Sequence, residues 1–431
     1  MLFMKGNTIL KRSLRFFAPV LSLLLAGSGV CSGKTVDEAA ARRSAWEYLS
    51  GLEHRGRSLG VRVSSPASLE LAHTVRAGEH PLYYVFNTTD GRGFVLAAAA
   101  DCASPVLGYS DGGPFVADSI PCGLKALIEC YERQIGQAVA SGAGAYRRAV
   151  TTDDRREVSP LIATQWGQGA PYNALCPRYQ GSATLTGCVA TATAQLMYYH
   201  QWPRQGRGSI SYDWRGRQMS CDFSQALFEW EKMKLRYSTT TPDPDHAVAT
   251  LMYYCAMAAT ADFGPTLTYG YFDTQKLHLY FGYKDQIGWL DMAYSTPEEF
   301  DEVIYSNLER GLPVVYRAED PQVWAHVFLV DGYRADGYYH MNLGWDGDAD
   351  GYYKLTVVDT PYARMRSGQM MIYNIEPESV EDGIAPSALS YVAARGRYAY
   401  SLQGRRVGRT DAGTRLPRGI YIVDGRKMVC R

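Results

Sequence analysis

The chain has 431 residues, enough for two or three globular domains. Hydrophobic residues make up 46% of it and charged residues 20%, a composition that excludes a chain disordered throughout. Lys and Arg together number 44 and balance 44 Asp and Glu, so the overall charge favours neither nucleic acid nor an anionic membrane as a partner. Nine cysteines are too few for a disulfide scaffold, and their odd number leaves at least one without an intramolecular partner.

The amino terminus has the pattern of an export signal. Several basic residues precede an apolar run over residues 16–25, and small residues follow this run. The run is too short to cross a bilayer as a helix, so residues 1–33 are predicted to be a signal peptide. Lipid attachment at Cys31 is disfavoured because Val30 stands where lipid-modified signals usually carry a small residue. We therefore expect a secreted or cell-surface protein without a stable membrane span.

The first globular unit is predicted to be a small α+β domain over residues 34–150. Residues 36–71 have a helical pattern, residues 81–96 have the pattern of a β-hairpin, and residues 122–135 have apolar side chains at helical spacing. After this second helix the sequence turns to Gly, Arg, Thr and Asp, the composition of an exposed linker. We place an activation linker at residues 151–160.

The largest unit is expected over residues 161–377. Its first half has helical patterns, and its second half is rich in predicted strands, Tyr and Gly. Residues 378–431 combine short strand patterns, Gly breaks and many basic residues, and they are predicted to form a linker and a small β-rich domain.

The strongest chemical signal is a cysteine at a predicted helix start. Cys188 follows a Thr-Gly turn and opens a run in which Val189, Ala192, Leu196 and Tyr199 have helical spacing. The N–H groups of a first turn and the positive end of the helix dipole stabilise a thiolate, which is the competent nucleophile. Because an isolated cysteine is more often buried and inert, this interpretation needs a partner base.

Two predicted strands offer such a base. His326 lies on the first strand and Asn342 on the second, where an imidazole would take the thiol proton and an amide oxygen would fix its tautomer. A two-residue loop at Asp336–Gly337 would put these side chains on opposite faces of the sheet. The assignment requires a three-residue loop or a bulge, which would bring them to one face. Three further histidines are interpreted as packing or surface residues: His200, His278 and His340.

An oxyanion stabiliser is expected shortly before the nucleophile, where a side-chain amide would act with the Cys188 backbone N–H. The segment before Cys188 contains two amides, Gln165 and Gln168. The sequence alone does not choose between them.

These motifs together resemble the streptopain family of secreted papain-like cysteine peptidases. The resemblance rests on four segments and extends over residues 161–377; the segments are Gln165–Asn173, Thr186–His200, His326–Tyr333 and Tyr339–Trp345. It implies an α+β, papain-like two-lobed fold, and it implies that the N-terminal unit is an α+β inhibitory prodomain. The small C-terminal β domain lies outside this resemblance.

The family resemblance also implies roles for individual residues. It makes Cys188 the nucleophile and His326 the general base and acid. The other implied site residues are Asn342 and Trp345 as supports of the histidine, Gln168 or Gln165 in the oxyanion hole, and Ala325 and Thr266 beside substrate.

Two departures from the family pattern lie close to these residues. Ala325 stands where the family commonly has Gly, and Leu343 stands where it often has Trp. A side chain at position 325 would crowd the groove for the substrate backbone, and Leu343 lacks an indole that would shield the histidine from water. Neither change removes a reacting group, so we expect activity with an altered subsite preference.

The expected function is that of a cysteine endopeptidase zymogen, which hydrolyses proteins or peptides through a thioester and is inhibited by its own propeptide. Two alternatives remain open: a surface-binding homologue without turnover, and an enzyme that transfers the acyl group to an amine. No Cys-x-x-Cys or His-Glu-x-x-His motif is present, so we expect no metal chemistry and no cofactor. Nucleic acid is not expected as a partner.

The carboxyl terminus, residues 400–431, resembles the β-rich sorting domain of the bacterial type IX secretion system. This resemblance implies an interaction with that secretion machinery. The alternative is a basic strand appendage that binds polyanions.

Overall fold

The computed structural model describes most of the chain between residues 34 and 378, together with four short strands beyond it. The described ranges are 34–54, 60–147, 155–238, 246–319, 325–358, 368–378, 398–401, 406–409, 419–423 and 426–430. All of them belong to one compact unit, Ser32–Arg431. The predicted signal peptide, Cys31 and positions 151–154 of the predicted linker lie outside the described residues.

The described ranges contain six α-helices and sixteen strands. The helices are α1 (Glu38–His54), α2 (Cys122–Ala140), α3 (Cys188–His200), α4 (His246–Ala258), α5 (Thr274–Phe281) and α6 (Pro297–Glu309). The first eight strands are β1 (Leu69–Ala77), β2 (His80–Thr88), β3 (Phe94–Ala98), β4 (Val106–Ser110), β5 (Ser209–Trp214), β6 (Arg217–Asp222), β7 (Gly288–Asp291) and β8 (Val314–Glu319). The others are β9 (Ala325–Arg334), β10 (Tyr338–Asn342), β11 (Gly351–Tyr353), β12 (Gln369–Tyr373), β13 (Tyr398–Ser401), β14 (Arg406–Arg409), β15 (Gly419–Val423) and β16 (Arg426–Cys430).

The N-terminal unit is α+β, as predicted, with one correction. The hairpin of β2 and β3 and the helix α2 are confirmed. The helix predicted over residues 36–71 is too long, because α1 ends at His54 and β1 begins at Leu69. Pro66 opens a short 3-10 turn before β1. A proline has no N–H for a helical hydrogen bond and disfavours the helical conformation in the residue before it, and Ser65 is extended, so a continuous helix through this position is disfavoured.

One antiparallel sheet runs through both large units. Its strand order is β1-β2-β3-β4-β11-β10-β9-β8-β12-β7. The junction is the pairing of β4 with β11, in which Tyr109 lies opposite Tyr352 and Gly108 opposite Tyr353. The N-terminal unit therefore adds four strands to the sheet of the second unit.

Helices cover both faces of this sheet. Helices α2 and α6 pack on one face, against Phe328 and Val330 of β9. Helix α3 packs on the other face, against Val327 and Leu329. Successive residues of β9 alternate between these two apolar cores, as strand geometry requires. Helix α1 covers the face of β2 to β4 that lies opposite α2.

A buried arginine ties the two units together next to the β4–β11 junction. Arg334 of β9 is 2% exposed and lies among four tyrosine rings, at 5.2 to 5.7 Å from their centroids. Tyr48 and Tyr109 belong to the N-terminal unit, whereas Tyr338 and Tyr352 belong to the second unit. Arg334 Nη1 also donates to Tyr109 Oη at 2.7 Å. The contact combines cation–π attraction with a hydrogen bond, so it favours the docked arrangement.

The described part of the C-terminal region forms a separate four-stranded antiparallel sheet with the order β14-β13-β15-β16. The strand-rich character predicted for this region is thus present. None of the helices within the described ranges combines the length and the apolar character needed to cross a membrane.

Candidate active site

Cys188 begins helix α3, as the sequence predicts. Gly187 precedes it with φ at +90°, and a Cβ built there would lie 3.0 Å from the backbone O and from Cγ2 of Thr268, so glycine suits this close approach. The half-buried thiol accepts hydrogen bonds from the backbone N–H groups of Val327, Val189 and Cys188 itself, and these hydrogen bonds lower the thiol pKa. Burial outweighs them and raises the thiol pKa above its ordinary value of 9.0. The sulfur is therefore a protonated thiol at neutral pH in this state.

His326 is the second residue of β9 and is 6% exposed. Its ring stacks on Phe328, with centroids 6.3 Å apart, and its Nε2 lies 3.5 Å from the carbonyl O of Leu343. Burial lowers the imidazole pKa to about 4, so the ring is neutral at neutral pH. A neutral imidazole and a protonated thiol are the unreactive forms of a catalytic pair.

Asn342 is the last residue of β10 and is almost fully buried. Its Nδ2 donates to the carbonyl O of Thr164 at 2.8 Å. Its Oδ1 accepts from Gln195 Nε2 at 2.8 Å and from the Gly344 N–H at 3.2 Å. These hydrogen bonds engage both ends of the amide without the imidazole of His326.

The register of β9 and β10 explains why Asn342 and His326 are apart. The loop between the strands has three residues, Ala335–Gly337, and a bulge at Asp331 adds a second one-residue shift. Each one-residue shift reverses the face on which Asn342 lies, so the two reversals cancel. Asn342 therefore pairs with Leu329 and lies on the α3 face, whereas His326 lies with Phe328 on the α2 face. The expectation that loop or bulge brings both side chains to one face is therefore wrong for this state.

The bulge is fixed by contacts of the extra residue. Asp331 is fully buried; its Oδ1 lies 2.6 Å from His340 Nδ1, and its Oδ2 accepts from the Ile162 N–H at 2.8 Å. The Leu161 N–H donates to the Asp331 carbonyl at 2.9 Å. A buried carboxylate needs such partners, so the bulge supplies them where a regular ladder would not.

A cleft of about 820 Å³ contains most of the predicted site. Six of the eight predicted residues line it: Cys188, His326, Gln168, Trp345, Ala325 and Thr266. Helix α2 lines the same cleft through Cys122, Lys125, Ala126 and Glu129. The N-terminal unit therefore occupies the space beside the thiol and the imidazole.

Helix α2 approaches the imidazole at Gly123. A Cβ built on Gly123 would lie 3.0 Å from His326 Cδ2, 3.2 Å from its Nε2 and 3.2 Å from Leu343 Cδ2. Leu343, one of the two departures from the family pattern, thus packs against the N-terminal unit. Glycine lets the first turn of α2 close against the ring, and sequence patterning gave no sign of this role.

The two candidate oxyanion amides are placed differently. Gln168 is 6% exposed and lines the cleft with Cys188. Gln165 lies outside the cleft lining; its side chain packs under Gly347, and its backbone bridges to Arg236. Of the two candidates, Gln168 is therefore the amide that lies in the cleft with Cys188.

Sequence reasoning missed one buried amide at this site, Gln195. It lies on α3 seven residues after Cys188 and contacts Asn342 directly. A single amide inside the predicted helical run, two turns from Cys188, was the available signal. Within the described ranges, no three His, Cys, Asp or Glu side chains converge on a place that could hold a metal ion.

Comparison with known proteins gives matches to both large units. The sequence signature of the Peptidase C10 family matches residues 166–353, and that of the Spi protease inhibitor matches residues 33–135. The thiol protease/hemagglutinin PrtT of Porphyromonas gingivalis is 31% identical over 355 residues, which cover 75% of this chain; the chain spans 40% of the length of PrtT. Streptopain of Streptococcus pyogenes is 26% identical over 371 residues, which cover 79% of this chain and 92% of streptopain.

A solved structure aligns across both units as well. A cysteine-to-alanine mutant of a Prevotella intermedia prointerpain A fragment superposes with a TM-score of 0.61 at 31% identity, over 72% of this chain and 100% of that one. Because the whole fragment aligns at this identity, the chain belongs to the Peptidase C10 family, the streptopain family of papain-like cysteine peptidases, and carries an inhibitor-like prodomain ahead of its peptidase domain.

Proposed function

We propose that this protein is a secreted cysteine endopeptidase made as a zymogen, with Cys188 as nucleophile and His326 as general base and acid. The observation that carries the proposal is the shared cleft, which Cys188, His326 and Gln168 line together with prodomain helix α2. A thiol, an imidazole and an amide donor are the groups that acyl transfer from a peptide requires.

In the proposed reaction, the imidazole takes the thiol proton and the thiolate attacks the scissile carbonyl carbon. The backbone N–H of Cys188 and the side-chain amide of Gln168 donate to the oxygen that becomes negative. The tetrahedral intermediate collapses to a thioester as the imidazolium gives its proton to the leaving amine. Water, deprotonated by the same imidazole, then hydrolyses the thioester and regenerates the thiol.

Latency follows from the contacts of His326 in the proenzyme. The imidazole is on the α2 face, beside Gly123, whereas the thiol at the start of α3 and Asn342 belong to the other face of the sheet. Activation therefore requires that α2 leave the cleft and that the start of β9 rearrange so that His326 reaches Cys188 and Asn342. Cleavage within residues 151–160 would free the prodomain for this change.

The test compares the full chain with Cys188→Ala and with Cys221→Ser, which alters another half-buried free thiol of the peptidase domain. Casein digestion and self-processing are followed under reducing conditions. We expect both activities in the wild type and in the Cys221 variant and neither in the Cys188 variant. Equal digestion by all three proteins would contradict the proposal, and formation of a new amide with an added amine would favour acyl transfer instead.

We further propose export through a signal peptide at residues 1–33 and sorting through the C-terminal strands. The support is the basic, apolar and small-residue order at the amino terminus and the strand-rich carboxyl terminus. Expression of the full chain and of a chain lacking residues 378–431 in a host with type IX secretion tests this. We expect the full chain outside the cell and the shortened chain in the periplasm; equal secretion of both would remove the sorting role.

A further inference from the structure

Gln195 is a fully buried amide that connects three parts of the site. Its Nε2 donates to Asn342 Oδ1 at 2.8 Å, and its Oε1 accepts from Thr164 Oγ1 at 2.9 Å and from the Trp166 N–H at 3.2 Å. It lies two turns after Cys188 on α3. One side chain thus links the nucleophile helix, the segment that leads to Gln168, and the end of β10.

Backbone partners fix the orientation of both amides. The Thr164 carbonyl accepts only, so the NH₂ group of Asn342 must face it, and the Gly344 N–H donates only, so Asn342 Oδ1 must face that group. The Trp166 N–H likewise requires Gln195 Oε1. The remaining NH₂ group of Gln195 therefore points at Asn342 Oδ1, and neither amide can flip without breaking a hydrogen bond.

We propose that Gln195 is a positioning residue for the reaction of Cys188 and His326, because it holds the amide of Asn342 in the orientation in which Oδ1 can accept the Nδ1–H of the imidazole in exchange for the longer, 3.2 Å bond from the Gly344 N–H. This inference rests on the proposed function. In the proenzyme the orientation of Asn342 is already set while His326 is still on the α2 face. Activation then has to move His326, and the amide that fixes its tautomer is in place when the ring arrives.

The test uses Gln195→Met, which keeps the length of the side chain and removes both the NH₂ donor to Asn342 and the Oε1 acceptor of Thr164 Oγ1 and the Trp166 N–H. Gln369→Met is the matched control, because Gln369 is also a buried amide of the peptidase domain, 1% exposed, and lies outside the cleft lining. Full chains are activated identically, their Cys188 sites are titrated with an alkylating peptide, and hydrolysis of a fluorogenic peptide is measured per titrated site.

We expect Gln195→Met to lower kcat by about tenfold to a hundredfold with little change in KM. The basic limb of the pH profile of kcat/KM should move to lower pH, because an imidazolium without a well-oriented acceptor loses its proton more easily. Gln369→Met should lower the thermal unfolding midpoint without either kinetic change. If Gln195 had only a structural role, Gln195→Met would resemble Gln369→Met, with a lower thermal midpoint and no change in kcat or in the pH profile.

A double-mutant cycle with Asn342→Ala shows whether Gln195 acts through Asn342. We expect Gln195→Met to lower kcat less than about twofold when Asn342→Ala is present. The inference would be overturned if the two substitutions lowered kcat independently, so that their effects multiplied. It would also be overturned if the wild type were active and Gln195→Met had the same kcat. Absence of Cys188-dependent hydrolysis in the wild type would remove the proposed function and this inference with it.

Discussion

Asp350 is a buried carboxyl directly behind the segment that carries Asn342. It is 7% exposed, and its Oδ1 accepts from the Leu343 N–H at 2.7 Å. Burial raises its pKa from 3.8 to about 7, although the Leu343 N–H and His340 pull the pKa down. The folded protein therefore binds a proton at Asp350 more tightly than the unfolded chain does, and ionisation of this carboxyl costs stability.

Asp350→Asn should stabilise the protein above pH 7 and have little effect near pH 4. Because the folded-state pKa is the higher one, the stability loss begins as pH rises above 3.8 and is complete above about 7. An asparagine keeps an acceptor for the Leu343 N–H and never ionises, so we expect a gain of roughly 2–4 kcal/mol at pH 8. Urea unfolding of the Cys188→Ala proenzyme at pH 8 and pH 4 measures this; equal gains at both pH values would contradict it.

The thiol of Cys188 should react slowly in the proenzyme. Burial raises its pKa above 9.0 and lowers the pKa of His326 to about 4, so between these values the thiol is protonated and the imidazole is neutral. We expect the alkylation rate of Cys188 by iodoacetamide to rise in one step, above pH 9, because the thiolate reacts and the thiol does not. Mass spectrometry of the Cys188 peptide measures the rate.

The activated enzyme is the comparison for this experiment. Once His326 reaches the sulfur, the ion pair holds the thiolate, and alkylation should be fast already near neutral pH. If proenzyme and activated enzyme gave the same pH profile, the thiol and imidazole would already be paired in the proenzyme, and the latency argument would be wrong.

Local pattern was sufficient for some residues of the site and not for others. Cys188 could be placed because a helix start is visible as a Thr-Gly turn before helical spacing. The choice between Gln165 and Gln168 could not be made, since it depends on which side chain faces a cleft built from distant elements. The partners of Asn342 were equally hidden, because Thr164 and Gln195 are 178 and 147 residues away in the chain.

At the scale of elements, the first turn of α2 closes the site through a glycine. The prodomain helix approaches the His326 ring at Gly123, and no side chain fits there without displacing the ring or Leu343. Gly136, on the same helix, has no atom within 4 Å of a built Cβ. The two glycines therefore provide a matched pair for testing how α2 holds the imidazole.

Gly123→Val should weaken the docking of α2, whereas Gly136→Ala should not. Overpacking against His326 costs about 1–3 kcal/mol, and an alanine in the open helix interior gains about 0.5–1 kcal/mol. We expect faster self-processing and a lower thermal midpoint for Gly123→Val, with the midpoint measured in the Cys188→Ala background. Gly136→Ala should process no faster and unfold no earlier than the parent. Unchanged latency in Gly123→Val would show that this contact does not restrain the prodomain.

The elements themselves were largely predictable, and their register was not. The β2–β3 hairpin and the strands β9 and β10 follow from alternation and turn residues. The bulge at Asp331 depends on His340 and on the Ile162 N–H, which no local pattern reveals. A single extra residue reverses the face of every later side chain, so the position of Asn342 relative to His326 was beyond prediction from the strand pattern alone.

At the scale of the whole molecule, the prodomain is an extension of the peptidase sheet. Strand β4 pairs with β11, and β11 pairs in turn with β10, the strand that ends at Asn342. Backbone pairing between distant segments has no local sequence signature, and this continuity was not foreseen. The prodomain is consequently held in two ways, by α2 in the cleft and by β4 at the sheet, and release requires the loss of both.

Gly351 of β11 allows the sheet contact to be weakened from the peptidase side. A Cβ built there would lie 2.3 Å from the Tyr109 carbonyl O and 2.8 Å from Ser110 Cα, both in prodomain strand β4. The three atoms nearest to this Cβ all belong to β4, so Gly351→Val should push β4 away. Because backbone atoms cannot move aside cheaply, we expect self-processing of the full chain to be about tenfold faster or more.

Gly144→Val is the control, because a Cβ at Gly144 meets no atom within 4 Å. Casein digestion is measured with freshly purified chains, before any cleavage is visible on a gel. This distinguishes departure of α2 from the cleft from proteolytic processing of the chain. Early digestion by Gly351→Val alone would mean that loss of the β4–β11 pairing lets α2 leave the cleft and His326 move. If Gly351→Val is as inactive as Gly144→Val, α2 holds the imidazole without help from the sheet. The α2 contact in the cleft and the β4–β11 pairing then restrain the prodomain independently.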